Sequence, residues 1–322
     1  MRPIVFALAL AVSVPSLAVE AQQVDKVWRI GILASFPETG RMTPFLEMLR
    51  KLGYFEGQNI VIEWRAARGR AERFPELAAE LARLKVDVIV AGDNPAIAAA
   101  QKATKTIPIV MVLAQDPVAS GFARSLARPG GNLTGLTVQG TELQGKTLQI
   151  LKEAVPTASR VGILWVPTEH GRDVQAKEAH AAARDLGLQA RLVELRDAAE
   201  LDRVFAAMAR EKLNAVKVQP SQMTYAHRAR IAELAAKNRL PSIGPAAWYV
   251  EAGGLLAYGA KDSERFERAA HYVAKILNGA NPADLPIEQA TLFELKINLK
   301  TAKALGLTVP PSLLLRADVV VE

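Results

Sequence analysis

Gly130-Gly131-Asn132-Leu133-Thr134-Gly135-Leu136-Thr137 and, much later in the chain, Gly253-Gly254-Leu255-Leu256-Ala257-Tyr258-Gly259 are the stretches on which the fold turns. Each follows a short Pro-containing apolar strand, Thr106-Ile107-Pro108-Ile109-Val110 in the first case and Arg239-Leu240-Pro241-Ser242-Ile243 in the second. Each runs on into an amphipathic helix, ending near Leu148-Gln149-Ile150-Leu151-Lys152 and Ala274-Lys275-Ile276-Leu277-Asn278. Similarity spaced in this way marks a repeated supersecondary unit. It predicts two similar α/β lobes, each handing its last strand to the other. The chain would cross at the two Gly-Gly strands and a third time near Leu285 to Gln289. Chance likeness between Ala- and Leu-rich segments is the competing explanation.

Outward from the repeat, strands and helices alternate, as parallel sheets covered by helices on both faces require. Strands are expected at 27–33, 58–64, 86–91 and 107–113, then at 160–166, 188–195, 215–219 and 241–243. Helices are expected at 43–52, 72–84, 95–105, 142–154, 172–186, 199–210 and 225–238. Val86 to Ala91 is a continuous apolar run, as a central parallel strand should be. The fold class is therefore α/β, with two Rossmann-like lobes of parallel sheet flanked by helices and joined by three crossing segments. The N-terminal lobe takes residues 22–138 and 260–287, and the C-terminal lobe takes 139–259 and 288–322.

The first residues read as an export leader. Arg2 is a minimal basic start, Ile4 to Val14 a short apolar core, and Ala18 or Ala21 a cleavage position, so residues 1–21 are expected to be a signal peptide. The apolar run is shorter than the ~20 residues a spanning helix needs. An N-terminal strand or core helix is the alternative. The ~300 residues left exceed what one core usually holds, which again argues for two lobes. Cysteine is absent, so disulfides, thiolate nucleophiles and lipidation of a cysteine after the leader are excluded. The net charge of +7 is spread among acidic residues, with no basic run carrying interleaved aromatics, and no nucleic-acid partner is expected.

Several segments resemble the family of ABC transporter substrate-binding proteins that includes the tryptophan/tyrosine-type binding proteins. They are Arg29 to Leu33, Leu52-Gly53-Tyr54-Phe55-Glu56-Gly57-Gln58-Asn59-Ile60, Ile107 to Val110, Asp116-Pro117-Val118, Ser125 to Gly135, and the tail Phe293 to Leu307. The resemblance implies the type I periplasmic-binding fold, a periplasmic location and a ligand cleft between the lobes. As partners it implies ABC permease and ATPase subunits in the inner membrane; a monomer without cofactor is expected. The alternative function is a binding protein that presents its ligand to a membrane receptor or sensor kinase.

Ligands of open α/β sheets bind beyond the carboxyl ends of the strands. That rule selects Ser35, Phe36, Asp93, Asn94, Pro95 and Asp116 in one lobe. In the other it selects Glu169, Gln219, Ser221 and Trp248, and the crossing strands add Thr137 and Tyr258. Asn94-Pro95 reads as a helix start, with Asn as cap and Pro at the first helical position, and such a terminus can hold a carboxylate. Family members often carry a small hydroxyl residue at the Asn94 position. Here an ionised Asp93 would repel a carboxylate and can receive an ammonium instead; otherwise Asp93 and Asn94 serve only as caps. Phe36 either stacks on the ligand or packs its loop, and Trp248 poses the same choice. Asp116 either touches ligand or forms a turn with Pro117. Trp64 and Trp165 read as core.

Glu169-His170-Gly171-Arg172 is the one cluster with a catalytic look, and it lacks a placed nucleophile. The four histidines have no metal-ligand spacing, and no nucleophile elbow, phosphate loop or dinucleotide fingerprint occurs. A binding protein rather than an enzyme is expected. Its ligand would be an amino acid or an aromatic or organic acid.

Overall fold

The strand β1 (Trp28–Ala34) shows how the first sheet is built: Ile30 and Ile32 face one apolar core and Leu33 faces another. A strand covered on both faces must be apolar on both, and this one is. The computed structural model describes residues 26–37, 40–138, 141–167 and 172–322; the expected leader and Glu169 lie outside them.

From β1 the chain runs through α1 (Thr43–Lys51), β2 (Ile60–Ala66), α2 (Phe74–Arg83), β3 (Val88–Ala91), α3 (Asn94–Ala103), β4 (Ile109–Gln115) and β5 (Leu133–Val138). It continues through α4 (Thr141–Ala154), β6 (Arg160–Trp165), α5 (Arg172–Asp185), β7 (Gln189–Glu194), α6 (Leu201–Arg210), β8 (Ala215–Val218), α7 (Gln222–Ala226) and α8 (Arg228–Lys237). Then come β9 (Ser242–Gly244), α9 (Trp248–Glu251), β10 (Leu256–Ala260), α10 (Asp262–Leu277) and β11 (Glu288–Gln289). The chain ends in β12 (Phe293–Asn298), α11 (Leu299–Ala304), α12 (Pro311–Leu314) and β13 (Val319–Val321). Two sheets result, β11-β5-β4-β3-β1-β2 and β13-β12-β10-β9-β8-β6-β7. The first is parallel throughout, and in the second β12 runs antiparallel to β10.

The repeat unites the two halves in a different way from the one expected. β5 stays paired to β4, and β10 stays paired to β9, so neither strand is exchanged. The helices that follow them change lobes instead. Leu148, Ile150 and Leu151 of α4 pack with Val161, Ala215 and Leu256 of the second lobe. Phe266, Tyr272 and Val273 of α10 pack with Ile30 and Phe45 of the first. The strands satisfy their backbone bonds within their own sheet, and the exchanged helices bury their apolar faces against the opposite one.

The third crossing falls at residues 290–292, slightly beyond the expected range, because β11 still pairs with β5. Crossing segments are tied together, with Lys261 N–H donating to Leu292 O at 2.8 Å and Thr291 Oγ1 to Glu264 Oε1 at 2.6 Å. Residues 225–238 form two helices rather than one. A Ser221–Thr224 capping box opens α7 early. His227, with φ −104 and ψ 19, then separates it from α8.

Candidate functional site

The carboxyl ends of both sheets face each other across a cleft, as parallel topology directs. A cavity of about 240 Å³ lies there, lined from both lobes. Ser35, Phe36, Asp93, Asn94, Pro95 and Asp116 line it from the first lobe, and Gln219, Ser221, Trp248 and Tyr258 from the second. Thr137 does not. It is buried in β5, and its Oγ1 donates to Ala114 O at 2.9 Å, while the next residue, Val138, reaches the cavity. Side chains alternate along a strand, so choosing the neighbouring residue turns the choice to the wrong face.

The start of α3 corrects the expected cap. Asp93 is the N-cap, its Oδ1 accepting from Ala96 N–H at 3.2 Å, and Asn94 is the first helical residue. Asn94 is instead a staple between α3 and the end of β4. Its Nδ2 donates to Gln115 O and its Oδ1 accepts from Gln115 N–H, both at 2.9 Å. The positive terminus of α3 is thus already met by the chain's own carboxylate. Ser35 Oγ donates to Asp93 Oδ2, and Gln222 Nε2 reaches the same oxygen from the other lobe at 3.3 Å. Burial raises the Asp93 carboxyl above its ordinary range, against the pull of these hydrogen bonds and of Arg41. The Gln222 Oε1 is buried without a partner. Asp116 does form the turn, in the left-handed region of the backbone, as short polar side chains tolerate. Its Oδ1 accepts from Ala119 N–H at 3.0 Å.

An aromatic row runs along one wall, in the tilted and edge-on contacts that ring quadrupoles favour. Phe36 meets Tyr225 at 5.2 Å between ring centroids, and Tyr225 meets Trp248 edge-on at 5.3 Å. Arg41 lies over the Tyr225 ring at 4.8 Å and is paired with Asp262, to which its Nη2 donates at 2.7 Å. A guanidinium in that position is drawn to the face of the ring. Phe36 and Arg41 belong to the first lobe and Tyr225 to the second, so these contacts and the Gln222–Asp93 bond close the cleft. Arg265 of α10 lines the cavity beside them and shares Asp262 with Arg41.

Deeper in the second lobe Lys217 sits on β8 and is 3 % exposed. Its Nζ donates to Gln144 Oε1 at 2.5 Å and to Gln219 Oε1 at 3.0 Å. The two glutamine amides also bond each other, at 3.2 and 3.3 Å. No carboxylate pairs with Lys217 among the described residues, and burial pulls its pKa down to about 7. Such a group lowers stability. Below about pH 7 the folded state holds the full buried charge, and between there and the ordinary value of 10.5 the unfolded chain binds more protons. Stability should therefore rise with pH across that window. Lys217→Met is expected to raise the melting temperature of the ligand-free protein at about pH 7 and below, and the gain should fade towards about pH 10. Thermal unfolding across pH checks this; a variant less stable than wild type at about pH 6 would contradict it.

Sequence reasoning missed Arg41, Tyr225 and Arg265, which reach the cleft from helices or segments between elements, while Gln222 belongs to the expected strand-end stretch Gln219-Pro220-Ser221-Gln222. It also missed Lys217 and Gln144. Among the described residues no cluster of acidic or histidine side chains could hold a metal, and no helix is long and apolar enough to cross a membrane.

Residues 40–321 match the family described as ABC transporter substrate binding protein. The chain belongs to that family. This ABC transporter substrate-binding protein is 27% identical, over 82% of its length and 75% of the relative's, to a tyrosine-binding protein of Clostridioides difficile. Among solved structures it resembles an ABC domain from Streptococcus pneumoniae in complex with L-Trp, with TM-score 0.84 and 22% identity, covering 91% of this chain and 99% of that one. A substrate-binding protein of Clostridium difficile in its ligand-free, open structure gives TM-score 0.68 at 26% identity, covering 92% and 99%.

Proposed function

We propose that this protein is the solute-binding component of an ABC importer, exported to the periplasm, and that it captures an amino acid or a small aromatic or organic acid by closing its lobes. The observation that carries the reading is the cavity itself. Both lobes line it, an aromatic row forms one wall, and buried polar groups stand at separated places around it. A mostly apolar cleft with a few convergent polar groups is the usual form of a small-molecule site. The size suits a single amino acid or aromatic acid, and the tyrosine and tryptophan ligands of the relatives fall in that class. Closure would turn about the crossing segments next to Val138, Lys261 and Leu292. The proposed contacts are those expected from sequence, without Thr137, which faces away, and Glu169, which lies outside the described residues.

The reading predicts ligand-dependent stabilisation. A site filled at roughly 100 times its Kd adds about 2.7 kcal/mol, and the melting temperature should climb with concentration. A thermal-shift panel of amino acids, aromatic acids, neutral aromatics and sugars tests it. A panel in which no compound raises the melting temperature would sink the reading.

A further inference from the structure

We propose that the ammonium of Lys217, presented by the amides of Gln144 and Gln219, is the anion subsite of the cleft and receives the carboxylate of the bound ligand. The proposal rests on the solute-binding reading above and names the group by which that ligand is held. It begins with the strand. On β8, Val216 and Val218 face the core formed with α6 and α8, while Ala215 faces the core formed with α4. Lys217 shares the α4 side. Both faces of this sheet are covered by helices, so a lysine there cannot reach bulk water by alternation alone. It points to the cavity, where α4 places Gln144 and Thr147.

The arrangement around Nζ is that of a receptor lacking one partner. An ammonium has three N–H donors. Two are taken by Gln144 Oε1 and Gln219 Oε1, and each amide also donates to the other's oxygen. The amides therefore fix the Lys217 head without neutralising it. A buried cation is costly unless a counter-charge meets it, and no carboxylate of the described chain does so.

Around it, Glu178 of α5 and Tyr258 of β10 line the same cavity in this lobe. Asp93, Asp116, Arg41 and Arg265 stand on the opposite lobe's wall. The other electropositive places in the cleft each already hold a carboxylate of the chain. Asp93 itself occupies the start of α3, and Arg41 and Arg265 share Asp262, which leaves Arg265 Nε buried without a partner and makes that pair the competing anion site. Lys217 differs from them in that its bonds go to glutamine amides alone, with no carboxylate of the described residues beside it.

The test compares acids with their uncharged amides on the full mature chain: L-tyrosine with L-tyrosinamide, L-tryptophan with L-tryptophanamide, and 3,4-dihydroxybenzoate with its benzamide. Isothermal titration should give, for the acid that binds, an affinity about 100-fold above its amide. In Lys217→Met the pair should come within about threefold of each other. If that variant does not fold, the wild type still decides. Affinity for the acid should fall about tenfold per pH unit above about pH 7 as Lys217 loses its proton, while the ratio of acid to amide shrinks with it. Equal binding of acid and amide overturns the proposal. So does discrimination that survives in Lys217→Met, or that vanishes in Arg265→Gln instead. Binding by neutral compounds with none by acids removes this proposal and leaves the solute-binding reading standing; a panel with no binder of any class removes both.

Discussion

Gly259→Ala is expected to cost about 3 kcal/mol or more and to lower the melting temperature by roughly 6–12 °C. A Cβ at this position would stand 1.8 Å from Pro245 O and 2.9 Å from Pro245 C. Both atoms are backbone, so no side chain can swing aside, and β10 must part from the segment entering α9. That segment carries Pro245, Ala246 and Trp248 into the cavity wall. The same methyl group should therefore disturb the aromatic row where Trp248 meets Tyr225, and weaken binding of whichever panel compound stabilises the wild type. Calorimetry of wild type and variant measures the first effect. A variant that melts within about 2 °C of wild type would show that the close approach is not a constraint on the fold.

The case of Gly259 shows what the sequence could and could not disclose. Its membership of a Gly-Gly strand is readable, because the strand recurs before a second amphipathic helix. The close approach to Pro245 is not, since nothing local to residue 259 records where the preceding loop passes. The same division runs through the whole molecule. Alternating strands and helices are legible from period and punctuation, since a strand apolar on both faces can only sit inside a covered sheet. The exchange between lobes falls to helices and not to strands, and periodicity misses it because it says where a helix begins and not which core it enters.

Cleft residues at strand ends are legible from topology alone: Ser35, Asp93 and Gln219 all line the cavity. Thr137 fails by one position of strand parity. Arg265 reaches the cleft only because α10 changes lobes, and Arg41 reaches it from the segment between β1 and α1. Lys217 is the readable omission. Alternation in Ala215-Val216-Lys217-Val218-Gln219 looks like a solvated face, but a strand between two covered neighbours has none. A charged residue near its carboxyl end then has the cleft as its place to face, as Lys217 does.

Asp93→Asn should separate binding from stability, with opposite effects on the two. Burial raises the carboxyl's pKa in the folded state, so the native protein binds more protons than the unfolded chain between the ordinary value of 3.8 and the raised one. Stability from this group therefore falls as pH rises through that interval and stays reduced above it. Asparagine removes the burden while keeping the cap, because its Oδ1 can still accept from Ala96 N–H. Its amide nitrogen would replace the oxygen that now accepts from Ser35 and Gln222. The Ser35 hydroxyl can turn to accept, and the unpartnered Gln222 Oε1 supplies a second acceptor once that amide rotates. The ligand-free variant is accordingly expected to melt no lower than wild type near pH 7.

Binding should move the other way. An ammonium docked beside Asp93 and Gln222 would be met by a carboxylate in a buried setting, and losing such a partner costs about 2–5 kcal/mol, or roughly 30-fold and upward in Kd. L-Tyrosine and 3-(4-hydroxyphenyl)propionate share a ring and a carboxylate and differ by the ammonium. The amino acid is expected to lose that factor in Asp93→Asn, while the deaminated acid binds as well as before or better, since a repelling charge has gone. Titrating both ligands into both proteins gives the four affinities. An amino acid whose affinity is unchanged by the substitution would remove Asp93 as the receiver of an ammonium and leave it as the cap of α3 and a bridge between the lobes.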